Sequence, residues 1–172
     1  MGVNPSRTGL LDLLSEMGAE IRLENRRELN HEPVADLVVR SRPLKGIAIH
    51  SDTVPKTIDE FPILCVAAAV AEGETVVRGA EELRVKESDR IQAIVRELSK
   101  LGVELRELPD GLVIRGGRKL SGARCLSGGD HRIAMSLAVA GLVAEGETVV
   151  EGAEWIETSF PGFQSLLKSV TT

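Results

Sequence analysis

Apolar residues recur along the chain at two spacings. Leu10, Leu11, Leu13, Leu14 and Met17, followed by Gly18, repeat the helical spacing of Ile94, Val95, Leu98 and Leu101, followed by Gly102. Apolar side chains at i, i+3, i+4 and i+7 predict amphipathic helices, and a glycine just past the last of them is a favoured helix end. Each predicted helix leads into strand-like alternation, over residues 19–23 and 103–107. Short strands are then expected over residues 36–41 and 47–49, and over residues 111–116 and 123–126. Residues 163–170 have the pattern of a truncated further copy of the amphipathic helix. Two other runs, residues 63–71 and 133–144, are apolar and helix-like, and residues 66–71 and 133–144 are small and apolar nearly all round. A helix without a polar face belongs in an interior.

The chain also repeats itself. Ala71-Glu72-Gly73-Glu74-Thr75-Val76-Val77 returns 73 residues later as Ala144-Glu145-Gly146-Glu147-Thr148-Val149-Val150, and Gly79-Ala80-Glu81 returns as Gly152-Ala153-Glu154. The unit that repeats is helix–strand–strand–helix–strand, a βαβαββ module read from a shifted start. Such modules bury their apolar faces only by stacking on neighbours. The expected class is α/β (α+β), with the apolar helices buried together and parallel and mixed sheets outside them. Residues 1–172 are expected to form a single domain, with a preceding strand or domain of the whole protein lying outside this sequence.

Composition narrows the function classes. The net charge is −5 and no basic run stands out, which argues against nucleic acid as a partner. Aromatics are only 2% of the residues, so the core must be aliphatic and offers no platform for stacking bases. The apolar runs are broken well short of the roughly 20 residues a membrane span needs. Cys65 and Cys125 lack metal-ligand spacing, are expected to be buried small side chains, and fit a reducing, cytoplasmic setting.

Three charged clusters stand at predicted helix starts. They are Thr57-Ile58-Asp59-Glu60-Phe61-Pro62, Arg84-Val85-Lys86-Glu87-Ser88-Asp89-Arg90 and Gly128-Gly129-Asp130-His131-Arg132. Asp59, Ser88 or Asp89, and Asp130 are candidate N-caps. Arginine at a helix start opposes the helix dipole. Arg90 and Arg132 make sense there if an anion lies between them and free backbone N–H groups. On pattern alone this suggests an anionic substrate with carboxylates at hand for proton transfer, although capping plus solvated ion pairs would produce the same letters. His131 is expected to orient or pack, and His31 and His50 to lie at the surface.

The heptapeptide from Arg84 to Arg90 closely resembles a signature of the EPSP synthase family. Asp130-His131-Arg132-Ile133-Ala134-Met135 is similar to a second family segment. Ile58-Asp59-Glu60-Phe61-Pro62, Asn4-Pro5-Ser6-Arg7-Thr8-Gly9 and Thr158-Ser159-Phe160-Pro161 resemble segments of its glyphosate-tolerant subgroup. The resemblance implies transfer of the enolpyruvyl group of phosphoenolpyruvate to the 5-hydroxyl of 3-phosphoshikimate, with release of phosphate, on the way to chorismate and aromatic amino acids. It implies no metal or organic cofactor. By the same resemblance Asp59 accepts the hydroxyl proton and touches 3-phosphoshikimate, and Lys86 contacts the same substrate. Glu87 is the general acid, and Arg90 and Arg132 hold phosphoenolpyruvate. The family fold implied has two similar domains of three βαβαββ units each, closing like a clamp.

Two departures qualify the resemblance. Many family members carry a lysine just before the Thr-Phe-Pro segment, where this chain has Thr158 and Ser159. The family's amino-terminal segments that bind 3-phosphoshikimate match nothing here, so this chain is expected to supply most of one domain and little activity alone. A carboxyvinyltransferase acting on UDP-N-acetylglucosamine, or a non-catalytic anion-binding module, remain the alternatives.

Overall fold

The computed structural model describes residues 1–171. The chain opens with α1 (Gly9–Glu16), then β1 (Glu20–Leu29) and β2 (Glu32–Arg40), an antiparallel hairpin. Next come β3 (Ala48–Ile49), α2 (Phe61–Val70), β4 (Gly73–Val77), α3 (Arg90–Lys100), β5 (Glu104–Leu108) and β6 (Gly111–Gly116). These strands form one sheet in the order β3-β4-β6-β5, parallel between β3 and β4 and antiparallel thereafter. This is one complete βαβαββ unit. A second begins with β7 (Leu120–Ser121), β8 (Arg124–Leu126), α4 (His131–Gly141), β9 (Ala144–Glu145) and β10 (Val149–Glu151), and ends on α5 (Phe163–Ser169). Here β7 pairs with β9 and β8 with β10, both parallel. The mixed α/β class and the repeated unit expected from the pattern are what the chain forms.

The repeat persists down to single contacts. Gly46 N–H donates to the Glu72 carbonyl at 2.8 Å, and Gly122 N–H donates to the Glu145 carbonyl at 2.7 Å. A Cβ on Gly46 would lie 2.2 Å from the Glu74 carbonyl oxygen, and one on Gly122 would lie 2.2 Å from that of Glu147. Glycine stands at both positions because the backbone of the repeated segment leaves no room for a side chain.

α2 and α4 pack against each other in the interior, and α2 also packs on β6. Phe61, Leu64, Cys65, Val66, Ala68 and Ala69 of α2 are buried with Ile133, Leu137 and Ala140 of α4 and Ile91, Ile94 and Leu98 of α3. Small residues on α2 allow close approach, while Ile and Leu fill the spaces. Burial pushes the thiols of Cys65 and Cys125 up, so both act as packing groups.

Three local expectations are corrected. The helix expected to Ala144 stops at Gly141, and Ala144 instead pairs in β9. The repeated segment is one strand in its first copy and two short strands in its second. β4 is held on both edges, by β3 and β6, whereas β9 and β10 each have one partner among the described strands. Finally, Asp59 is not a helix cap. Glu60 takes the N-cap position without a side-chain bond, leaving Asp59 in the preceding turn.

Candidate functional site

The three charged clusters meet where α3 and α4 begin and the turn before α2 ends. α3 starts at Arg90 because Asp89 caps it, accepting the Gln92 N–H at 2.9 Å. α4 starts at His131 because Asp130 caps it, accepting from the N–H groups of Arg132 at 2.9 Å and Ile133 at 3.4 Å. Gly128 and Gly129 precede it with φ of 64° and 84°, and this left-handed pair turns the chain from β8 into the helix.

Arg90 is the centre of the cluster. Its side chain is 1% exposed. Nε donates to Asp130 Oδ2 at 2.8 Å, and Nη2 donates to Glu87 Oε2 at 2.6 Å. Nη1 is buried without a hydrogen-bond partner, and Asp59 Oδ1 lies 3.8 Å from it. Arg132 reaches back from α4 to the same aspartate, donating Nη1 to the Asp59 carbonyl at 2.8 Å and placing Nη2 3.3 Å from Oδ2. Asp59, Glu87, Arg90 and Arg132 are therefore brought together. Lys86 is not: its Nζ is bound to Glu82 at 2.5 Å on the exposed side of the 3-10 turn before α3.

The cluster differs from the picture of arginines facing open helix ends. Asp130 already takes the N–H groups of Arg132 and Ile133 at the start of α4, and Asp89 takes that of Gln92 in α3. What offsets the arginines is carboxylate, from Asp130, Glu87 and Asp59. Asp59 and Glu87 keep side-chain exposures of 42% and 48%, so both can be reached from solvent. Burial alone would raise the carboxyl of Asp130. The hydrogen bond and charge of Arg90, with the two backbone N–H groups, outweigh it and hold Asp130 below the ordinary range.

Two supports escape sequence reasoning. Arg84 spends its donors on structure: Nε and Nη2 donate to the carbonyls of Pro109 and Leu108, and Nη1 pairs with Asp89 and Glu107. It thereby ties the segment carrying Lys86 and Glu87 to the β5–β6 turn. Beside Asp59 and Arg132 lies an apolar recess of about 200 Å³, floored by Ile63, Met135, Val139 and Phe163. The pairing of Arg90 with Asp130 spans 40 positions and left no local signal. No group of His, Cys, Asp and Glu side chains among the described residues is arranged to hold a metal, and none of the described helices is long and apolar enough to cross a membrane.

The chain is 58% identical over 171 residues to the 3-phosphoshikimate 1-carboxyvinyltransferase of Pelotomaculum thermopropionicum, covering 99% of this chain and 39% of the relative. It is 56% identical to that of Desulforudis audaxviator, covering 99% and 40%. It superimposes on a solved EPSP synthase from Acinetobacter baumannii with a TM-score of 0.95 at 46% identity, over 98% of this chain and 40% of that one. The enolpyruvyl transferase NikO from Streptomyces tendae shares the fold, with a TM-score of 0.66 at 22% identity. The chain thus spans about 40% of the length of the curated relatives it matches. The family profile described as EPSP synthase (3-phosphoshikimate 1-carboxyvinyltransferase) matches residues 1–167, and the chain belongs to that family.

Proposed function

We propose that this chain supplies part of the active site of an enzyme that transfers the enolpyruvyl group of phosphoenolpyruvate to the 5-hydroxyl of 3-phosphoshikimate. The observation that carries this reading is that three separate segments meet at the buried Arg90, with Asp59 and Glu87 beside it and Arg132 on Asp59. Asp59 is the base for the hydroxyl proton: it is accessible, lies beside two arginines, and is backed by the apolar recess. Glu87 is the acid that protonates the methylene carbon. It engages Arg90 in the free protein, so the acid role requires the incoming anion to take over that arginine. Arg90 and Arg132 receive the carboxylate and phosphate of phosphoenolpyruvate, and planar guanidinium groups suit both. Lys86 reaches 3-phosphoshikimate after leaving Glu82. Addition gives a tetrahedral intermediate, and loss of phosphate gives the enolpyruvyl ether.

Charge counting supports a site shared with a second part. Two arginines face three carboxylates here. That balance does not hold two multiply charged anions without further cations. We place those on the remaining portion of the longer protein, with residues 1–172 forming most of one of its two domains in a cytoplasmic enzyme. The sequence segments around Asp59 and Phe160 favour the glyphosate-tolerant subgroup.

The test is phosphate release from phosphoenolpyruvate and 3-phosphoshikimate. We expect little turnover from the chain alone and restored turnover on mixing with the amino-terminal portion of the Pelotomaculum relative. Full turnover by the chain alone would overturn the shared site. Turnover with UDP-N-acetylglucosamine in place of 3-phosphoshikimate would overturn the substrate.

A further inference from the structure

Asp130 does more than a helix cap requires. A cap needs one acceptor oxygen and no charge, and Asn or Ser serves as well. Oδ1 of Asp130 fills that role for Arg132 and Ile133. Oδ2 faces the other way, accepting from Arg90 Nε at 2.8 Å and Ser88 Oγ at 3.1 Å. The residue is completely buried. An ionised carboxylate out of water is costly unless fully engaged, and four donors engage this one.

The geometry of Arg90 shows what the second oxygen does. A guanidinium is planar, so bonds at Nε and Nη2 fix both its plane and its rotation. With Nε on Asp130 and Nη2 on Glu87, the only end without a hydrogen bond is Nη1, buried 3.8 Å from Asp59. The same carboxylate sets the first turn of α4, from which Arg132 reaches Asp59.

We propose that Asp130 is a positioning residue, its two oxygens locking Arg90 and the base of Arg132 into one unit so that Nη1 of Arg90 is presented to an anionic group arriving beside Asp59. This rests on the reading that Arg90 receives phosphoenolpyruvate. Glu97 provides a matched control. It is equally buried, lies on α3 with Arg90, is paired with Arg96 and Lys100, and accepts the Leu126 N–H at 2.8 Å, but it takes no part in the cluster.

The experiment compares Asp130→Asn with Glu97→Gln in this chain. The first readout is the Arg90 Nε–H resonance by NMR, assigned by its loss in Arg90→Lys. We expect slow exchange with solvent in the parent chain and in Glu97→Gln, and fast exchange in Asp130→Asn. The second is titration with phosphoenolpyruvate, followed by fluorescence of the single tryptophan, Trp155. Its ring lies beside Gly129, next to the α4 cap. Asp130→Asn should weaken binding about tenfold, the equivalent of about 1.4 kcal/mol. Glu97→Gln should stay within about twofold of the parent despite a comparable loss of thermal stability. In an Arg90→Lys background Asp130→Asn should add almost nothing. Protection of Nε–H that survives in Asp130→Asn, or equal weakening by both variants, overturns the positioning role. A parent chain with protected Nε–H that binds no phosphoenolpyruvate, alone or complemented, overturns the functional reading and the ligand assigned to Nη1, while the clamp on Arg90 stands.

Discussion

Asp130 Oδ2 accepts from Arg90 Nε at 2.8 Å across 40 positions of chain, and both side chains are out of water. Removing one member of such a pair leaves the other as a buried, uncompensated charge, at a cost of about 3–5 kcal/mol. Asp130→Ala also strips the α4 cap and belongs at the upper end of that range. Urea denaturation followed by circular dichroism checks it. A loss under about 1 kcal/mol would mean that water enters the site freely.

Acid should weaken the fold. Asp130 and Glu97 are both held below the ordinary carboxylate range. In each, burial works in the opposite direction and is outweighed, by Arg90 for Asp130 and by Lys100, Arg96 and the Leu126 N–H for Glu97. A lowered folded-state value means that the unfolded chain binds protons first as pH falls. The stability these groups contribute is therefore complete above the unfolded value of about 4 and disappears as pH drops through the folded values. Urea midpoints at pH 7, 5 and 3 should fall mainly over the last interval. Asp130→Asn should start lower and fall less.

Asp59→Asn tests the base. The side chain is 42% exposed and its partners are other surface-accessible groups or the rim of Arg90, so stability should change by less than about 1 kcal/mol. In the complemented enzyme, kcat should drop about 100- to 10,000-fold, the usual weight of general base catalysis. The KM for phosphoenolpyruvate should change little, because the arginines remain. An unchanged kcat would remove Asp59 from the chemistry.

Arg84→Lys should behave almost as poorly as Arg84→Ala. Arg84 serves two carbonyls and two carboxylates at once, a geometry a single ammonium group cannot reproduce. We expect a loss of about 1–3 kcal/mol for the unpaired acceptors, and faster backbone hydrogen exchange over residues 82–90. Exchange that rises only elsewhere would contradict the anchoring role.

Gly46→Ala and Gly122→Ala probe the repeat. In each, the added methyl would sit 2.2 Å from a backbone carbonyl oxygen, so the strands must separate. Overpacking of this kind costs about 1–3 kcal/mol. Gly46→Ala should cost more, since it pushes on β4, which is held on both edges, while Gly122 faces the segment between the short strands β9 and β10. Equal thermal shifts would argue that the two copies are equally constrained.

Helix periodicity at Leu10 to Met17 and Ile94 to Leu101, and the nearly continuous apolar runs of α2 and α4, were legible because local spacing reports directly which face is buried. Strand ends were less so. Whether the repeated Ala-Glu-Gly-Glu-Thr-Val-Val segment forms one strand or two depends on how many neighbours it meets, which no single segment contains. Asp59 looked like a cap by residue type, yet Glu60 holds that position and the carboxylate goes to Arg132 and Arg90 instead. Glu97 gave no signal in the sequence, yet it is buried and accepts the Leu126 N–H of β8.

The amino-acid sequence by itself determined the repeat, the helix faces, the cap at Asp130, a cap at Ser88 or Asp89, and the residue types on which an anion site depends. Those are short-range matters, set by side chains a few positions apart. Only the tertiary structure decided that Arg90 would be buried, that Asp130 and Asp59 would come to it from distant segments, and that Nη1 would be left without a hydrogen bond. A buried guanidinium is stable only if carboxylates from distant segments arrive together, and their arrival depends on how α2, α3 and α4 stack rather than on any local run of letters.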